Sequence, residues 1–114
     1  MRSVLLFLLV EAMAFAAAAS IHFGLAFGGY EHRKAGIAES VIAAVLIAGL
    51  ASSLMRRSST RAAGVIAQGF ALLGTFVGIF TIIIGVGPRT IPDVVYHIAI
   101  VIVLILGLAT ARNL

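Results

Sequence analysis

His22, Glu39, Asp93 and His97 are the residues of this sequence whose types and spacing best suit chemistry. Imidazole and carboxylate together form the usual ligand set of zinc, iron, manganese and copper sites. A carboxylate beside a histidine also orients the ring, and histidine is the side chain whose charge changes near neutral pH. Asp93 and His97 stand at i and i+4 and share a helix face. The set therefore points to a metal ion or a haem held by His22 and His97, supported by Glu39, Asp93 or His32, with electron transfer as its use. No established ligand spacing accompanies it: HxxxH, HExxH and paired ExxH are all absent. Plainer roles compete at each position. His32 lies among Glu31, Arg33 and Lys34 as a loop residue would, Asp93 suits a helix cap, and Glu39 favours the dipole at a helix start. His22 and His97 can each hydrogen-bond a neighbouring acid or carbonyl.

A second candidate stands alone. Glu11 interrupts an apolar stretch about 12 Å from its beginning at 1.5 Å per residue, and an ionisable group at such depth is by default a functional one. At 100° per residue, Glu11, Ala14, Ala18, His22 and Gly29 fall on one face of the first helix. Gln68, Thr75, Ile79 and Val86 align on the third. Glu11 and Gln68 are thus expected to meet, as a buried polar pair and a candidate proton site. The length, the four helices and the single acid in helix 1 resemble the architecture of the small multidrug resistance family. That resemblance implies a proton-coupled transporter in which Glu11 alternates between proton and substrate. The stretch Glu11-Ala12-Met13-Ala14 and the lack of tryptophan depart from that family's aromatic-lined site, so its function is not carried across.

No catalytic constellation is present. Ser52, Ser53, Ser58 and Ser59 have no histidine near them, and no glycine-rich phosphate loop occurs. Cysteine is absent, which removes disulfides, thiolate metal sites and thiol chemistry. The leading expectation is a non-enzymatic membrane component, structural, accessory or sensory, with the metal or haem protein and the proton-coupled transporter as alternatives.

The elements that must position these residues follow from composition. Of 114 residues, 62% are hydrophobic and 11% charged, and mean hydropathy is +1.21. A soluble domain has about 45–50% apolar and about 25% charged residues. Four apolar runs reach the roughly 20 residues that a bilayer asks of a helix. They predict helices over approximately 3–29, 35–55, 62–86 and 93–111, in a single domain. The fold class is all-α integral membrane, and short loops make it an antiparallel up-down four-helix transmembrane bundle. Arg2, the run Val4 to Val10 and the small residues Ala16 to Ser20 resemble a signal peptide, but Glu11 breaks the run and hydrophobicity resumes at Ile21, which favours a retained first helix. Thr90, Pro92 and Asp93 spell the start of helix 4. Gly24/Gly28, Gly74/Gly78 and the stripe Ala44, Ala48, Ser52 are candidate places for close helix approach.

A net charge of +4 with no basic cluster argues against nucleic acid as a partner, because the cations sit singly or in pairs at the ends of apolar runs. Counting them by side sets orientation. Arg2, Arg56, Arg57, Arg61 and Arg112 share one side, and Arg33, Lys34 and Arg89 the other. Both termini are accordingly expected in the cytoplasm of a multi-pass protein of the plasma membrane, with Tyr30 and Tyr96 anchoring the outer interface. The expected partners are the lipid bilayer and further copies of the chain or a larger membrane complex.

Overall fold

The computed structural model covers all 114 residues. Four helices form, α1 over Arg2–His22, α2 over Arg33–Met55, α3 over Thr60–Ile83 and α4 over Ile91–Arg112, with a short 3-10 turn at Arg57–Ser59 before α3. All four are long and apolar enough to cross a membrane. Their outward faces are apolar as well. Leu6, Met13, Ile66, Leu73 and Ile83 are each more than three-fifths exposed, so apolar character does not mark the inward side.

Local chemistry sets the helix ends. At α4, Thr90 accepts from the Asp93 amide while the Asp93 carboxylate takes the Thr90 amide, a complete capping box with Pro92 in the first turn. At α2, the His32 ring accepts from the Ala35 amide. Helix α3 stops at Ile83 because Gly85 turns to φ +86, and the Thr81 carbonyl then accepts from the amides of both Val86 and Gly87.

Helix α1 ends at His22, seven residues short of the Gly29 expected from sequence. Gly24 at φ +74 and Gly29 at φ +103 adopt left-handed backbone that side-chain-bearing residues avoid. The connection they open is folded back on itself. The His32 amide donates to the His22 carbonyl at 2.8 Å, and the Glu31 carboxylate takes the Gly29 amide. Residues 24 and 28 are therefore no helix-packing pair, and Gly29 does not continue the Glu11 face. The stripe Ala44, Ala48 and Ser52 is also displaced: these residues are exposed, and α2 buries Ile42, Ala43, Leu46, Gly49 and Ser53 instead.

Each helix packs on the next and α4 returns to α1, with α1 also reaching α3 across the middle. Val4, Leu8 and Phe15 of α1, Leu46 of α2, Ala71 of α3 and Leu104 of α4 make the centre of the core. Helices α2 and α4 stand apart, with no Cα of one within 8 Å of a Cα of the other. The connections 23–32 and 84–90 lie together at one end, joined by a hydrogen bond from His32 Nε2 to the Val86 carbonyl at 3.0 Å. We call this the upper end. Met1 and Arg57 meet at the lower one.

Candidate functional site

The upper end is organised by His22, the last residue of α1. Its Nδ1 lies 2.5 Å from Glu39 Oε1 and its Nε2 2.8 Å from Asp93 Oδ1. Glu39 comes from the second turn of α2 and Asp93 from the first turn of α4. One imidazole thus bridges the two helices that do not touch each other. All three side chains are buried, at 4%, 6% and 7% exposure, and their two contacts are the only ion pairs in the chain. Asp93 serves twice, since its other oxygen closes the α4 cap on Thr90.

Proton counting follows from this geometry. Each nitrogen-to-oxygen contact needs one hydrogen between its atoms, so two hydrogen bonds require two protons among one imidazole and two carboxyl groups. With two protons, wherever they reside, the three groups carry a net charge of −1. Removing one proton leaves a lone pair facing a carboxylate and breaks the tie to α2 or to α4.

The neighbouring histidines have fixed tautomers. His97 Nδ1 sits 2.7 Å from the Asp93 carbonyl and must be the N–H donor there, which on the neutral ring leaves Nε2 as an acceptor. His32 accepts the Ala35 amide on Nδ1 and donates from Nε2 to Val86. Its ring stands edge-on to His22 with centroids 6.4 Å apart. The structure brings His22, Glu39 and Asp93 into direct contact, while His97 is tied to the backbone one turn along α4. No three His, Asp and Glu side chains are disposed to hold a metal ion. Both nitrogens of His22 face carboxylates, so a metal there would have to displace one of them.

Between α2, α3 and α4, where α2 and α4 diverge, lies a cavity of about 160 Å³. Phe15, Ile42 and Tyr96 line it, and Glu39 of α2 and His97 of α4 are ionisable residues among its walls. The Tyr96 hydroxyl is buried and has no hydrogen-bond partner. Sequence gave Tyr96 the place of an interface anchor, but its ring packs edge-on against Phe15 at 6.0 Å and against His97 at 5.6 Å. Its spacing from Asp93 and His97 was the available signal, because 93, 96, 97 and the buried Ile100 follow the i, i+3, i+4, i+7 rule of one helix face.

Glu11 and Gln68 lie deeper in the bundle, both fully buried, and both against Gly107 of α4. A Cβ on Gly107 would stand 2.7 Å from Glu11 Oε2 and would collide with Gln68 Oε1. Both carboxyl oxygens of Glu11 and the Gln68 Oε1 lack hydrogen-bond partners. Set beside known proteins, the chain matches no family model, no curated protein and no solved structure.

Proposed function

We propose that the chain is a small integral membrane protein, an antiparallel four-helix bundle with both termini in the cytoplasm, acting as a non-enzymatic accessory or sensory component. The membrane reading is supported by four apolar helices whose outward faces are apolar too. The orientation is supported by five Arg at the lower end against Arg33, Lys34 and Arg89 at the upper end. The observation that carries the functional reading is His22, whose ring is the bridge between α2 and α4. A latch of three titratable groups on three helices couples protonation to the relation between those helices, and bistable elements of this kind serve as switches.

Protein purified in a mild detergent tests this reading against a metal or haem centre built on His22 and His97. The expected spectrum contains tyrosine absorption alone, without a Soret band, and metal analysis gives far less than one equivalent per chain. Stoichiometric haem or metal, lost when His22 is replaced, would overturn it.

A second reading is favoured by the unpartnered carboxyl of Glu11. A buried acid without a counter-ion is a proton carrier by its chemistry, and proton-coupled transport would use it. Glu11→Gln in reconstituted vesicles separates the two readings: proton flux lost on this substitution alone supports transport.

A further inference from the structure

We propose that the cavity between α2, α3 and α4 binds a small organic ammonium ion, held by the free oxygen of Glu39 and Nε2 of His97. The proposal goes beyond the latch, with which it shares only Glu39, and through a different oxygen. Glu39 Oε1 faces His22, whereas Oε2 makes no hydrogen bond and the residue lines the cavity. The latch carries a net charge of −1 at two protons, and no Lys or Arg forms an ion pair with it. An uncompensated charge in a poorly solvated interior is costly, and a cation in the adjoining space offsets that cost.

The polar atoms also select the kind of cation. Glu39 Oε2 and, on the neutral ring, His97 Nε2 are acceptors. A ligand must therefore bring N–H donors, which an ammonium does and a carboxylate does not. The remaining wall is largely apolar. Phe15 and Tyr96 add aromatic rings to it, suited to a hydrocarbon body. A bare inorganic ion would leave that wall unfilled. Lys34, the one cation on the rim, is exposed and its ammonium can turn to water.

Size fixes the upper bound. A cavity of about 150 Å³ accommodates benzene, so the 160 Å³ here suits an amine with a body of one ring or a short alkyl chain. The space exists because α2 and α4 are held apart and because α3 presents Gly78 to it. A Cβ at Gly78 would come within 3.1 Å of His97 Nε2.

The test is 19F NMR of 4-fluorobenzylammonium titrated into the full chain in lipid nanodiscs, beside 4-fluorobenzyl alcohol and 4-fluorobenzoate. The ammonium is expected to show a saturable shift at one site per chain, and the other two only linear partitioning into lipid. Ala38→Leu, at an exposed position on the cavity wall, should exclude the ligand, and Glu39→Gln should abolish saturation. Linear behaviour of the ammonium, equal saturation by the alcohol or the benzoate, or unchanged affinity in Ala38→Leu would each overturn the proposal. Because Ala38 takes no part in the latch, its result is independent of whether the latch reading survives.

Discussion

Gln68 points its one unpaired oxygen at the side of Gly107 where the Glu11 carboxyl lies, and no hydrogen-bond donor stands between them. The Gln68 amide nitrogen donates to the carbonyls of Gly64 at 3.0 Å and Gly107 at 3.1 Å. That pairing fixes the amide, because a flip would press its oxygen against two carbonyl oxygens. Three oxygens therefore share a buried space in which the one hydrogen to be had is that of a protonated Glu11 carboxyl.

Glu11→Gln makes that hydrogen permanent, since the amide mimics the protonated acid. The new amide can donate to Gln68 Oε1 while keeping the size of the side chain. We expect an intact fold and a stability equal to the parent or higher by about 1 kcal/mol, the net worth of one hydrogen bond. Thermal unfolding in detergent micelles measures it. A clear loss of stability would mean that Glu11 holds a charged partner instead.

Gly107 should be among the least replaceable residues of the chain. The Cβ of Gly107→Ala would press on the fully buried Glu11 and Gln68 and on the half-buried Phe7. Overpacking of this kind costs about 2 kcal/mol. Gly69 is the control, since a Cβ there meets nothing within 4 Å; Gly69→Ala should stabilise helix α3 by about 0.5–1 kcal/mol. Unfolding midpoints that move the same way in both variants would contradict the packing described for α1, α3 and α4.

The latch can be measured by a double-mutant cycle. His22→Ala leaves Glu39 buried without a partner and Asp93 with Thr90 alone, and removing one member of such a set costs about 3–5 kcal/mol. In a Glu39→Gln, Asp93→Asn background both side chains are uncharged amides, and the same substitution should cost much less. Additive effects would show that the three side chains do not interact.

The parts of this architecture that were legible in the sequence are those written in local signals. Four apolar runs gave four helices, and Thr90, Pro92 and Asp93 gave the start of α4. The end of α1 was not legible from hydropathy, because Leu25 and Phe27 continue the apolar run through a connection that leaves them exposed. Gly24 and Gly29 were the only marks of the turn. That one boundary decides the site, since it makes His22 a helix end between α2 and α4. The grouping of His22, Glu39 and Asp93 at one end was readable, but the choice of one imidazole as bridge was not. The buried face of α2 was hidden for a different reason. A helix apolar all round carries no moment to say which side faces in, so Ala44 and Ala48 looked as suitable as Leu46 and Gly49.

Orientation is the remaining expectation, and the structure suggests where to probe it. Leu25, four-fifths exposed in the connection 23–32, marks the upper end without touching the Thr90 cap or the latch. Ser58, exposed beside the turn before α3, marks the lower end. The chain has no cysteine of its own, so Leu25→Cys and Ser58→Cys each introduce a unique thiol. In intact cells a membrane-impermeant maleimide should label position 25, and position 58 only after the cells are opened. The excess of Arg at the lower end sets this order, since basic loops are retained on the cytoplasmic side. Labelling of both positions from one side would sink the four-span bundle. Labelling in the reversed order would keep the bundle and place the cavity and the His22 latch toward the cytoplasm, where their ligands and partners would have to be sought.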